Sequence, residues 1–286
     1  MDPNARWNTK PGERSRKGDD PGQTGKSRPV IALSARWHSN PERFRWIVEH
    51  GFALEYSLHP ERLDLLPHHI VPFLAAGIPL RYHGFFPGHE FAHADREAAM
   101  RGLDVHLSAL EAIHRRGEQV ITVHIGLCRQ DPLDPIRAMD NLTRLVRRGH
   151  KLGITICLEN LRQGPTSHPE TVVEWATASG AMITLDVGHA VSSQRVQGGE
   201  LTALDFVEAF APRLAEVHMY EQETDRHYPP RDMSILGPIV DGLLETQCSW
   251  WTIELDDCGE ALATRTLLQR YLEAKRAGQT TGRRTG

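Results

Sequence analysis

Short apolar stretches alternate along the chain with longer stretches whose apolar positions recur at helical spacing. Pro29–Ala35, Phe52–Leu58, Pro79–Phe85, Val120–Leu127, Gly153–Asn160, Ala181–Val187, Leu214–Tyr220 and Trp250–Asp256 read as strands. Pro41–His50, a segment reaching Ala76, Ala94–Arg116, Pro135–Lys151, His168–Ser179, Ala203–Phe210, Ile235–Glu245 and Ala261–Arg276 read as helices. The first helix is well punctuated, with Asn40 as N-cap, Pro41 at its first position and Gly51 just past its end. Strand–helix units repeated eight times in roughly 250 residues are the arithmetic of a (β/α)8 TIM barrel, an α/β single domain. An open doubly wound sheet is the alternative. Its dinucleotide-binding form is disfavoured, because Ala32-Leu33-Ser34-Ala35-Arg36 offers no Gly-rich turn after the first strand.

Several strands alternate strictly. Ile121, Val123 and Ile125 oppose Thr122 and His124; Ile154, Ile156 and Leu158 oppose Thr155, Cys157 and Glu159; Trp251, Ile253 and Leu255 oppose Thr252 and Glu254. A parallel strand covered on both faces is normally aliphatic throughout. Alternation is expected instead where one face meets dry helices and the other lines a polar barrel mouth. In Met182-Ile183-Thr184-Leu185-Asp186-Val187-Gly188-His189-Ala190, Gly188 is expected to end the strand. That would deliver Asp186 and His189 to one spot. Alone, Asp186 could equally cap a helix and His189 lie in a loop.

Residues 1–28 are rich in charged residues, Gly, Pro and Ser and read as a disordered arm; 29–276 form the barrel, and 277–286 a frayed tail. With 40% hydrophobic residues, the 286-residue chain can bury a substantial core. A net charge of −4 and a pI near 6.5 disfavour a broad nucleic-acid or anionic-membrane surface. No apolar run has transmembrane length and no secretory signal is seen. The cysteines Cys128, Cys157, Cys248 and Cys258 show no paired spacing, so a reducing cytoplasm is the expected setting.

In a barrel of this kind the active site is built from strand C-termini. There the sequence offers His83, His124, Glu159, Asp186 with His189, His218 with the following Asp225 and His227, and Glu254. Carboxylates crowded at one mouth repel one another unless a cation lies between them, and carboxylate with imidazole suits zinc, manganese or related divalent ions.

Tyr82-His83-Gly84, Val123-His124-Ile125-Gly126, Leu158-Glu159-Asn160, Leu185-Asp186-Val187-Gly188-His189-Ala190, Val217-His218 and Asp225-Arg226-His227-Tyr228-Pro229-Pro230 together resemble the xylose isomerase-like barrel superfamily, one motif per strand over about residues 29–276. That superfamily includes sugar-phosphate isomerases and epimerases and metal-dependent apurinic endonucleases. On the isomerase side, the resemblance implies one divalent ion (Zn, Mn or Mg) held by Glu159, Asp186, His218 and Glu254. Glu159 and Glu254 would then move a proton through an enediolate. On the endonuclease side, it implies up to three zinc ions held by His83, His124, Glu159, Asp186, His189, His218, Asp225, His227 and Glu254, with phosphodiester hydrolysis as the reaction. This chain departs from the epimerase pattern at Gln163-Gly164-Pro165-Thr166, where a further Glu is usual, and at Glu221-Gln222-Glu223-Thr224, where an Arg is usual. It departs from the endonuclease pattern at Val187-Gly188, and Arg231-Asp232-Met233 replaces the usual Gly-x-Gly.

Arg36, Arg129, Arg162, Arg195, Arg226 and Arg231 follow expected strands, which suits an anionic small molecule such as a sugar phosphate. His189, Arg226, Arg162 and Trp37 are the expected substrate contacts, and Phe85, Phe86 and Tyr220 further candidate pocket walls. The leading expectation is a metal-dependent sugar or sugar-phosphate isomerase or epimerase. A multi-zinc phosphodiester hydrolase and a non-catalytic metal- or ligand-binding barrel are the alternatives. Assembly state is left open.

Overall fold

A computed structural model describes residues 28–282, with side chains as far as Ala277. The arm expected over 1–28 and the tail expected over 277–286 fall almost entirely outside those side-chain limits. Eight parallel strands close a barrel: β1 (Val30–Arg36), β2 (Ala53–Ser57), β3 (Leu80–Gly84), β4 (Val120–Val123), β5 (Thr155–Glu159), β6 (Met182–Asp186), β7 (Leu214–Met219) and β10 (Trp250–Ile253), with β1 pairing both β2 and β10. A small antiparallel hairpin, β8 (Gln222–Glu223) and β9 (His227–Tyr228), follows β7. The outer layer comprises α1 (Pro41–Glu49), α2 (Leu66–Ala75), α3 (Arg96–Ile113), α4 (Pro135–Leu152), α5 (Pro169–Ser179), α6 (Val187–Val191), α7 (Gln194–Gln197), α8 (Ala203–Phe210), α9 (Leu236–Glu245) and α10 (Cys258–Gly282). Among the described residues, no helix is long and apolar enough to cross a membrane.

Sequence punctuation explains where elements begin. The Asn40 side chain accepts from the Glu42 N–H at 2.9 Å and Pro41 opens α1, as expected. Asp134 caps α4 in the same way, accepting from Ile136 and Arg137, and Gly153 ends it in the left-handed region at φ 71°. Strand ends are where expectation and structure differ. The fourth strand stops at Val123 rather than Leu127, because Gly126 turns at φ 91° and its N–H donates to Glu90 Oε2 at 2.6 Å. The sixth ends at Asp186, and Gly188 lies inside α6 rather than ending the strand. The last helix continues past Arg276.

The alternation separates two environments. Leu33, Leu54, Tyr82, Ile121, Leu158, Ile183, Val217 and Ile253 point outward and pack with Ile47, Phe73, Leu110 and Leu145 of the helices in one apolar cluster. Each such buried aliphatic contributes about 1.5–3 kcal/mol. The interior is polar instead. Thr122 and Thr184, from non-adjacent strands, share a hydrogen bond of 2.7 Å across it. Below them Arg81 stacks over Trp250 at 4.4 Å and pairs with the buried Glu216 at 3.5 Å. The barrel therefore carries its dry core outside the strands and its polar groups along its axis.

His106 of α3 is an exception among the histidines, packed edge-on between Phe86 and Phe91 with Nδ1 donating to the Gly102 carbonyl at 2.9 Å. Burial holds its pKa down at about 4, against that hydrogen bond. The unfolded chain binds a proton near the ordinary value of about 6.5, so between 6.5 and 4 it binds more protons than the folded one. Stability is full above that window and falls by roughly 3 kcal/mol as pH drops through it. Denaturant unfolding of His106→Leu between pH 7 and pH 4 is expected to lack this component of the slope. Identical slopes in variant and wild type would contradict it.

Candidate metal centre

Strand register brings the inward residues near the C-terminal ends of the barrel together. Glu159 closes β5, Asp186 closes β6, His218 lies on β7 and His83 on β3, while His124 and Glu254 follow directly after β4 and β10. All six are buried. Glu159 is the hub. Its Oε2 has three imidazole nitrogens around it: His124 Nε2 at 2.9 Å, His83 Nε2 at 3.4 Å and His218 Nδ1 at 3.4 Å. None of the three is aligned as a hydrogen bond, and both Glu159 Oε2 and His218 Nδ1 are buried without a hydrogen-bond partner. Its other oxygen is 3.6 Å from His189 Nδ1. Glu254 Oε1 stands opposite, 3.3 Å from His83 Nδ1 and 3.7 Å from His218 Nδ1.

Asp186 is firmly held. Oδ1 accepts the His189 N–H at 2.6 Å, capping α6, and Oδ2 accepts the Tyr220 hydroxyl at 3.0 Å. Asn160 braces its backbone from both sides, accepting from Asp186 N at 2.8 Å and donating to Asp186 O at 3.0 Å. The Asn160 carbonyl also accepts His189 Nδ1–H at 2.9 Å. Asp186 thus caps a helix and faces the cluster at once, and His189 lies in that helix rather than in a loop.

Burial opposes charge on every member; neighbours of opposite charge overcome it at most of them, but burial keeps His124 below and Asp186 above its ordinary value. Burial would lower His83, but Glu55, Glu159 and Glu254 around it raise it to about 10. His189 likewise rises to about 10, against burial, through Asp186, Glu223 and Glu159. His218 is lifted well above the ordinary histidine range against the same penalty by Glu55, Glu254 and Glu159. Burial works against Glu254 as a carboxylate, but His218 and His83 hold it low. Asp186 rises to about 6 because burial and the neighbouring Glu159 and Glu254 outweigh His189.

Convergent atoms with free lone pairs, such as Glu159 Oε2 and His218 Nδ1, are what a cation site requires, whereas His83 Nε2 and His124 Nε2 share a hydrogen bond of 3.1 Å. Among the described residues, His83–His124–Glu159, His83–His218–Glu254, Glu159–Asp186–His189 and His189–Glu223–His227 each place ligand atoms within 4.8 Å of one another. Their donor types fit a divalent metal, and shared members link these four to one another and, through His218, to a fifth, Glu55–Glu216–His218.

Asp225 belongs to none of these groups but lines the cavity over the centre, and Trp37 lies away from that cavity. Asp225 is exposed, and its Oδ1 accepts from the Thr224 and Tyr228 hydroxyls at 2.7 and 2.8 Å. Glu223 takes the place beside His189 instead, with Oε2 3.2 Å from Nε2. The cause is the hairpin: β8 pairs with β9 so that Glu223 opposes His227, leaving Asp225 at the turn. Trp37 packs against His59, with ring centroids 4.1 Å apart and planes tilted by 48°, and does not line the cavity. His227 stacks on Tyr220 at 4.0 Å and donates through Nδ1 to the Glu254 carbonyl at 2.8 Å.

A cavity of about 430 Å³ opens over the centre, with Glu159, Glu254, His83, His124 and His189 in its wall. Asp186 and His218 lie beneath that wall. Arg36, Arg129, Arg162 and Arg226 line it, whereas Arg195 and Arg231 do not. Two of the four are engaged within the fold: Arg162 donates to the Glu223 and Thr224 carbonyls, and Arg226 makes two bonds to Glu260. Phe85 lines the cavity, but Phe86 packs on His106 in the core.

Three residues escaped the sequence reading. Glu55 and Glu216 are fully buried in the barrel interior, and the alternation Leu54-Glu55-Tyr56 carries the same signal that marked Glu159. Glu216 shares the phase of His218 along β7. Glu223 had no such signal, because only the hairpin aims it inward.

A family model described as xylose isomerase-like TIM barrel matches residues 73–271. An uncharacterized protein of Methanocaldococcus jannaschii is 35% identical over 162 residues, 56% of this chain and 70% of that one. Among solved structures, an L-ribulose 3-epimerase has a TM-score of 0.69 at 14% identity, over 88% of this chain and 97% of its own. Endonuclease IV from Thermus thermophilus has 0.62 at 15%, over 86% and 100%. At such identities these structures share the fold.

Gly188 has a reason in the centre itself. A Cβ there would lie 1.9 Å from Tyr220 Cε2, so the ring that binds Asp186 and stacks on His227 occupies the space of a side chain. Gly188→Ala is expected to destabilise the protein by about 1–3 kcal/mol in denaturant titrations, as overpacking does. Wild-type stability in that variant would contradict the packing described.

Proposed function

The chain belongs to the xylose isomerase-like TIM barrel family, and from that premise we propose that it is a metal-dependent enzyme that isomerises or epimerises a sugar or sugar phosphate. One observation carries this reading: Glu159 and Glu254 flank His83 at its two nitrogens, both approach Nδ1 of His218, and both line one small cavity. Two carboxylates facing a bound substrate from different directions can take a proton from carbon and return it on another face or at a neighbouring carbon. Both are held ionised by adjacent histidines despite burial, the condition a general base needs. Glu159, Asp186, His218 and Glu254 are the residues proposed to hold a divalent ion. When bound, that ion would polarise substrate oxygens and offset developing negative charge.

The cavity supports a small substrate. About 430 Å³ suits a monosaccharide-sized ligand, and nothing in the net charge of −4 favours a polyanion. Arg36 and Arg129 in its wall are suited to a phosphate on that ligand. His189 is the proposed further substrate contact, beside Glu159 and Glu223.

A second reading, a phosphodiester hydrolase with several zinc ions, is favoured by the two additional groups, His83–His124–Glu159 and His189–Glu223–His227. Elemental analysis of protein purified without chelator separates the two. One ion per chain accords with the isomerase and three with the hydrolase.

The proton-transfer reading is tested by incubating the metal-loaded protein with ketoses and ketose phosphates in deuterium oxide. Deuterium is expected to appear at carbon, read by NMR, and Glu254→Gln is expected to lower that rate by about 10²–10⁴-fold. Product formation without deuterium at carbon, or turnover unaffected by the substitution, would contradict it.

A further inference from the structure

Below the centre, Glu55 of β2 and Glu216 of β7 lie fully buried on the barrel axis. A buried carboxylate is costly unless its charge is matched, so each calls for an account. Glu216 has its own partners: Thr252 donates to Oε1 at 2.9 Å, and Arg81 lies 3.5 Å from Oε2. Glu55 has no arginine. Its Oε1 accepts from His218 Nε2 at 3.1 Å and lies 4.0 Å from His83 Nδ1. β2 and β7 are not neighbours in the barrel, so this bond spans the interior.

The consequence falls on His218. Its ring has two nitrogens, and a carboxylate can only accept, so the Nε2 facing Glu55 carries the proton. Nδ1 is then the nitrogen turned toward Glu159 and Glu254, at 3.4 and 3.7 Å, and it makes no hydrogen bond. Backbone carbonyls at this depth are taken up by the strand ladders that pair β7 with β6 and β10. Among the described residues, Glu55 reaches Nε2 from across the barrel at 3.1 Å, closer than Glu216 on the strand of His218 itself, whose Oε1 lies 3.9 Å away. We propose that Glu55 is a positioning residue of the metal centre: it grips His218 through Nε2–H, fixing ring orientation and tautomer so that Nδ1 is the atom offered between Glu159 and Glu254. An anionic partner on the far nitrogen also makes an imidazole a stronger donor. This rests on the metal-centre reading above and adds to it a residue from a strand that supplies none of Glu159, Asp186, His218 and Glu254.

The test uses the full chain as wild type, Glu55→Gln and Glu55→Ala, each loaded with zinc. Zinc affinity is measured by competition with a chromophoric chelator, and the histidine ring protons by NMR after ¹⁵N-histidine labelling. Wild type is expected to show a slowly exchanging Nε2–H on His218. Glu55→Gln, whose amide oxygen still accepts that proton, is expected to stay within about tenfold of wild-type affinity, and Glu55→Ala to lose about 10–100-fold along with the slow Nε2–H signal. Folded Glu55→Ala with wild-type affinity would overturn the role assigned to Glu55. So would a wild-type His218 protonated on Nδ1, which needs no variant to fold. Wild type that binds no zinc would instead overturn the metal-centre reading itself.

Discussion

Charge inside a closed barrel must be answered from inside it. The interior here carries Glu55, Glu159, Asp186, Glu216 and Glu254, all buried, and no solvent reaches most of them. Each ionised carboxylate in such surroundings costs several kcal/mol unless matched. Arg81 answers Glu216, and His83, His189 and His218 answer the rest. The close approach of Glu159 Oε2 to three imidazole nitrogens is the point on which the arrangement turns. His83, His189 and His218, lifted by the carboxylates around them, balance that charge as cations; a divalent ion would do so with the donor atoms already in place.

Everything around that point works to keep it rigid. The outward aliphatic faces lock the strands against the helices, and thereby fix how far each inward side chain reaches. Asn160 ties the tops of β5 and β6 together through the Asp186 backbone. Tyr220, filling the space at Gly188, joins Asp186 to His227 and so couples the centre to the hairpin. Arg162 secures the same hairpin through two of its carbonyls. Preorganised donors of this kind are what catalysis by positioned charge requires.

Sequence alone carried much of this because period-two alternation is a physical signal. An ionisable residue in phase with the inner face, such as Glu159 between Leu158 and the strand end, has nowhere to go but the interior. Glu55 obeyed the same rule, but on a strand where attention to the superfamily's motifs did not lead. What the pattern could not carry was anything set by loop geometry. Asp225 matched a motif, yet the pairing of Gln222–Glu223 with His227–Tyr228 sets Glu223 against His189 and leaves Asp225 at the exposed rim of the cavity. Trp37 followed a strand, but it packs against His59, away from the cavity. Strand ends were misplaced for a related reason: at β4 and β6 the chain turns as soon as a side chain, Glu90 or Asp186, captures the next backbone N–H groups.

The central claim is that these separate strands present their carboxylates and imidazoles to a shared cation. Diffraction from zinc-soaked crystals, collected on both sides of the zinc absorption edge, tests it most directly. Anomalous density is expected within bonding distance of Glu159, Asp186, His218 and Glu254. Full zinc in the soak with no anomalous density among those four side chains would contradict the account.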